Sequence, residues 1–237
     1  MENIEAYTTQ RTYARLAGIL FLVVILIAFV GGSILSRVAG NGTFGEKSAR
    51  IAASERLYRV GLCTVLIASV SSTLLAFALY ATLRPVNRLV AQLAMIFSLE
   101  DSFLALIVRM ASFVRLHLYV SAQANHAMTA EQLVDLLRTI GATMENLGGI
   151  CFGIGSGLFF YLFFKSRYIP KFLAALGMCA SLMWAGLYCA NLIFPEYDAL
   201  FQDIYLPPMA LADIGTGLCL ALFAVKAPAT AIQAAPA

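Results

Sequence analysis

Apolar runs of about 20 residues, the length needed to cross a bilayer core, recur along this chain between short charged connections. The first, Leu16 to Leu35, carries no charge and lies between Arg15 and Arg37. Signal peptides have apolar cores of about 7–15 residues, so this longer run predicts a retained span. A second runs from Val60 to Leu83, and a third starts after Arg88 and continues to Ser112, including Glu100, Asp101 and Arg109. The fourth covers Ala142 to Phe164 with Glu145 near its start, and the fifth is Phe172 to Phe194, ended by Pro195. The sixth, Pro207 to Val225, carries Asp213. The pattern predicts an all-α integral membrane bundle of six transmembrane helices in one domain, residues 1–226. The Ala/Pro-rich tail, residues 227–237, is expected to be disordered.

The connections carry further pattern. Arg84-Pro85-Val86-Asn87-Arg88 and the stretch Lys165 to Lys171 are short and basic, and each follows an even-numbered span. The joint before the last span holds Glu196, Asp198 and Asp203 and no base. Basic residues concentrate in cytoplasmic loops, which puts both basic turns and both termini in the cytoplasm. Arg37, Lys47, Arg50, Arg56 and Arg59 around the first outer loop pull the other way. Thr43–Glu46 and Thr129–Gln132 fit the capping box that satisfies free amides at a helix start. After the second box, Leu133, Leu136, Leu137 and Ile140 form an apolar stripe opposed by Asp135 and Arg138. Both outer loops are therefore expected to hold short amphipathic helices running into spans two and four. Such helices either extend the spans, lie on the membrane or cap a cavity. Leu83-Arg-Pro and Tyr168-Ile-Pro-Lys both place proline and base before an apolar helix, a weak echo of a duplicated hairpin.

Composition fits a lipid-facing surface. Of 237 residues, 61% are hydrophobic and 12% charged, about half the roughly 25% charge of a soluble domain; the mean hydropathy is +0.83. The net charge of +3 comes without a basic cluster interleaved with aromatics, which argues against nucleic acid as a partner. Cys63, Cys151, Cys179, Cys189 and Cys219 sit in apolar runs without a C-x-x-C pair and read as small hydrophobes. His117 and His126 share one connecting segment, so no metal or cofactor site is expected.

Candidate chemistry lies in the buried charges. Each Asp, Lys or Arg at a span centre costs about 2.5–3.5 kcal/mol, while each large apolar residue returns about 0.3–0.6. Three such groups make the third span a poor helix for lipid alone, and charged residues at depth are functional candidates. At 1.5 Å per residue, Glu100 falls near the midplane, Arg109 and Glu145 toward the outside, and Asp213 about a third of the way in from outside. Glu100, Asp101, Arg109, Glu145 and Asp213 are thus expected to line a polar binding site opening outward. Glu100 and Arg109 face opposite sides of their helix, so Arg109 either snorkels to the interface or meets Glu145 or Asp213. Gly149, Gly153 and Gly157 form a doubled G-x-x-x-G, which strips one helix face for close packing. Its use inside the chain, in a homo-oligomer or along a ligand groove stays open at this level.

Tyr13-Ala-Arg-Leu-Ala-Gly-Ile-Leu, Ala53-Ser-Glu-Arg-Leu-Tyr-Arg-Val-Gly, Ala78-Leu-Tyr-Ala-Thr-Leu-Arg-Pro-Val-Asn-Arg and Phe163-Phe-Lys-Ser-Arg-Tyr-Ile-Pro-Lys, in this order and spacing, resemble a bacterial membrane-protein family. It is known as domain of unknown function 4386, and the likeness runs from about residue 11 to 226. The resemblance implies a bacterial inner membrane and an acid in the third span at Glu100. It also implies a glutamate in the last span, where this chain has Asp213; no activity comes with it. The expected role is transport or binding of a small molecule or lipid. The rivals are a membrane-embedded enzyme on an apolar substrate and a structural or regulatory subunit. No nucleophile, metal set or phosphate loop supports the enzyme.

Overall fold

The computed structural model describes residues 2–121, 127–194 and 198–223, and its apolar runs fold as long helices. Seven helices form among the described residues: α1 Glu2–Ala39, α2 Phe44–Ala53, α3 Glu55–Leu83, α4 Arg88–Ser121, α5 Ala127–Ser166, α6 Lys171–Ile193 and α7 Asp198–Phe223. All except α2 contain a segment long and apolar enough to cross a membrane. Several overrun the bilayer. The 40 residues of α5 extend about 60 Å against a hydrocarbon core of about 30 Å. Large apolar side chains stand exposed on all six, among them Phe29, Phe77, Phe103, Phe172, Leu182 and Leu222. Apolar surface on that scale needs lipid around it, and the architecture is that of a multi-pass membrane protein.

Short connections force each spanning helix to run back beside the one before it. Thus α1 packs on α3, α3 on α4, α4 on α5, α5 on α6 and α6 on α7, and α7 returns to α1. The six close into a ring, pinched where α3 also touches α5. Closure depends on glycine. A Cβ at Gly18 of α1 would lie 2.7 Å from the Gly217 carbonyl oxygen of α7, so only a bare backbone fits there.

Each end of the ring is plugged. At the end with the basic turns, Phe159, Phe160, Leu162 and Phe163 of α5 pack with Ala14, Leu83, Ala91 and Ala174. Gln10 ties that end together, donating from Nε2 to the Thr82 carbonyl and to Tyr168 Oη, both at 2.9 Å. At the other end α2 lies across α4 and α1. Its predicted capping box is present: Glu46 N–H donates to Thr43 Oγ1 at 3.4 Å, and Thr43 N–H to Glu46 Oε2 at 3.1 Å. Ile51 is buried beside Val38, Leu62 and Leu116, Phe44 stacks on Tyr119 at 5.4 Å, and Ser48 Oγ donates to the Tyr119 carbonyl at 2.5 Å.

The second outer helix takes the span-extending form among those expected. It is the first part of α5, which begins at Ala127, so Thr129 lies inside the helix rather than at its start. Its apolar stripe faces outward. Leu133, Leu136 and Ile140 are exposed, while Ala130 and Val134 are buried. The small residue and the β-branched one suit the close contact inside, and the leucines are left outside. Pro207 and Pro208 likewise fall inside α7 rather than at its start. His126, Pro195, Glu196 and the expected C-terminal tail lie outside the described residues.

Candidate functional site

The charged residues of α4 sort onto two faces. Leu93, Ile96, Phe103 and Ile107 mark its exposed side, and Glu100 falls on the same side. Glu100 stands 12 residues beyond Arg88, about 18 Å along the axis. Its carboxylate accepts one hydrogen bond, from the Cys151 thiol of α5 at 3.6 Å between sulfur and Oε2. Asp101, one residue on and so about 100° around the helix, turns inward and lies against α5. A Cβ at Gly148 would sit 3.0 Å from Asp101 Oδ1, so the missing side chain of Gly148 makes room for the acid.

Arg109 lies two turns above Asp101, on the same side and about 12 Å along the axis. Its Nε is buried and has no hydrogen-bond partner among the described residues. The ion pairs among those residues are Arg59–Glu55 and Arg138–Asp135, so Arg109 makes none with Glu145 or Asp213. The hydroxyls nearby serve the backbone or another cation: Ser112 donates to the Val108 carbonyl at 2.8 Å and accepts from Arg115 Nη2 at 2.7 Å.

Of the two remaining acids, only Asp213 is carried by a helix that does not pack on α4. Glu145 is exposed on α5. Asp213 lies on α7, which packs against α1 and α6, whereas α4 packs against α3 and α5. It is 10 residues from Phe223 and 15 from Asp198, about 15 Å and 22 Å along the axis. Asp213 Oδ1 and, one turn on, Thr216 Oγ1 are buried without hydrogen-bond partners among the described residues. The five residues therefore do not share one place: Glu100, Asp101 and Arg109 are on α4, Glu145 on the adjacent α5, and Asp213 three positions away around the ring. Helix order explains this: the last helix closes on the first, which carries it away from the third.

The glycines divide α5 between two neighbours. Gly149 and Gly153 face α6, where added Cβ atoms would meet the Tyr188 ring at 2.5 Å and the Ser181 carbonyl oxygen at 2.7 Å; Gly157 stands 3.5 Å from Ser181 Cβ. Gly148 and Gly155 face α4, meeting Asp101 and Ser98. Beside the α6 contact, Asn191 Nδ2 donates to Asn146 Oδ1 at 3.0 Å, and Trp184 packs between Phe152 and Tyr188 at 5.3 and 5.5 Å. Sequence reasoning passed over Asn146 and Asn191 and took Cys151 for a small hydrophobe, whereas its thiol meets Glu100. The signal for the asparagines was present, since an amide inside an apolar span seeks a partner on another helix. Nothing in the sequence marked Cys151.

Among the described residues no group of three or more His, Cys, Asp or Glu is arranged to hold a metal ion. The α4–α5 seam can instead hold a cation or a hydrogen-bond donor, with Glu100 at the lipid side and Asp101 within.

The family model described as "Domain of unknown function (DUF4386)" matches residues 16–223, and the chain belongs to that family. No curated protein and no solved structure matches it.

Proposed function

We propose that this membrane protein binds a small amphiphile, cationic or rich in hydrogen-bond donors, at the α4–α5 seam, entered sideways from the bilayer. The observation that carries this reading is Glu100. A carboxylate near mid-bilayer, exposed between Ile96 and Phe103 with one thiol as partner, costs several kcal/mol as an anion in hydrocarbon. A ligand that brings a positive charge or a strong donor there offsets that cost. Asp101, against Gly148, extends the acidic surface inward, and Arg109 above it bounds the site against a second cation. We place the chain in a bacterial inner membrane with both termini cytoplasmic. The reading draws on Arg84, Arg88, Lys165, Arg167 and Lys171 in the two short turns at one end.

The test compares two probes of equal size and opposite charge, tetraphenylphosphonium and tetraphenylborate, on the full chain in nanodiscs. The reading expects saturable binding of the cation, weakened at least tenfold (about 1.4 kcal/mol) by Glu100→Gln or Asp101→Asn. Equal binding of both probes, or a cation affinity indifferent to both substitutions, rejects it. Transport of the ligand is the second reading. Buried Asp213 favours it, because an acid without a partner among the described residues, on a helix that carries Pro207 and Pro208, suits a site that loads a proton or ion during transport.

A further inference from the structure

The turn between α5 and α6 and the end of α7 enclose a cavity of about 460 Å³, lined in part by Arg167, Ile169, Pro170, Lys171, Cys219 and Phe223. Its content is uneven. Ile169 is buried beneath it, and Cys219 and Phe223 add apolar wall from α7, whereas among the described residues that line it the charges are two cations and no acid. Neither Arg167 nor Lys171 makes an ion pair among the described residues; Lys171 Nζ rests 5.8 Å from the Phe164 ring centroid.

Two backbone features add to the charge. The ladder of α6 begins with Ala174 N–H donating to the Pro170 carbonyl at 3.1 Å, and Pro170 supplies no side-chain cap. The first-turn amides of α6 are thus open to an anion at the positive end of the helix dipole. Arg167 holds φ at 59°, the left-handed region where a Cβ is crowded and glycine is the relaxed choice.

The cavity's level selects the ligand. Phe172, Leu222 and Phe223 expose their rings and methyls to lipid beside it, so the two cations stand where hydrocarbon gives way to headgroups. We propose that the cavity binds the phosphate of an anionic phospholipid. Arg167, Lys171 and the α6 amides face the phosphate, and the glycerol and upper acyl carbons rest on Phe223 and Cys219. Free phosphate shares the charge but leaves the apolar wall uncovered, so the lipid is the favoured source. The inference is independent of the α4–α5 site.

The test measures binding of dioleoyl phosphatidylglycerol to the full chain in neutral detergent by native mass spectrometry, with dioleoyl phosphatidylcholine and inorganic phosphate as comparison ligands. We expect saturable binding of phosphatidylglycerol alone. The Arg167→Gln/Lys171→Gln pair should weaken it by roughly 25-fold, about five-fold per cation, while Arg84→Gln/Arg88→Gln at the other basic turn leaves it unchanged. Arg167→Gly guards against misfolding: it relaxes the turn and should raise the melting temperature while still weakening the lipid. Equal binding of phosphatidylcholine, a preference for inorganic phosphate, or an equal loss in both double variants overturns the proposal.

Discussion

Gly153 and Gly157 lie one turn apart on α5 in the same small-residue motif, yet the structure assigns them opposite responses to alanine. A Cβ at Gly153 would stand 2.7 Å from the Ser181 carbonyl oxygen and 2.8 Å from both the amide nitrogen and Cβ of Ala185. Ordinary contact needs about 3.5–4.0 Å, so α5 and α6 must part by about 1 Å. Overpacking costs about 1–3 kcal/mol, and three rigid neighbours met at once put Gly153→Ala at the upper end. The better helix propensity of alanine returns about 1 kcal/mol. The net loss is about 2 kcal/mol, roughly a thirty-fold change in the unfolding equilibrium. At Gly157 the nearest atom, Ser181 Cβ, would be 3.5 Å away; Gly157→Ala should be neutral or stabilising by up to about 1 kcal/mol. The assay is reversible unfolding in mixed micelles followed by the fluorescence of Trp184, the single tryptophan, which packs at this interface between Phe152 and Tyr188. If Gly153→Ala is as stable as the parent, or both variants lose equally, the close α5–α6 approach is refuted.

Other outcomes follow from the same contacts. A double-mutant cycle on Asn146→Leu and Asn191→Leu should give a coupling of about 0.6 kcal/mol and at most about 1.7; a coupling of zero means the 3.0 Å bond contributes nothing. Asp213→Leu should raise stability by about 1–3 kcal/mol, because it removes a buried oxygen without a partner; a loss of stability would show that the carboxyl is satisfied. Thr43→Ala should cost about 1 kcal/mol through the lost cap, seen as faster amide exchange at the start of α2 with α4 unchanged.

Much of this protein was legible in one dimension. Hydrocarbon imposes a length and a purity on any helix that crosses it, so all six spans stood out before any contact was known. Thr43 and Glu46 announced α2 for a similar reason, since a capping box is local chemistry between residues three apart. The 100° rotation per residue also separated Glu100 from Arg109 correctly. What the sequence left open was which helix meets which, because an apolar stripe says that a face is covered and not by what. The ring carries Asp213 away from α4, leaves Glu100 on the outside with Cys151, and turns Leu133 and Leu136 outward while Val134 packs within. The glycine row of α5 shows the division most plainly. Spacing alone marked a face stripped for close approach, and only the tertiary packing set Tyr188, Ala185 and Ser181 of α6 against it, because the identity of a neighbour depends on the arrangement of all six helices together.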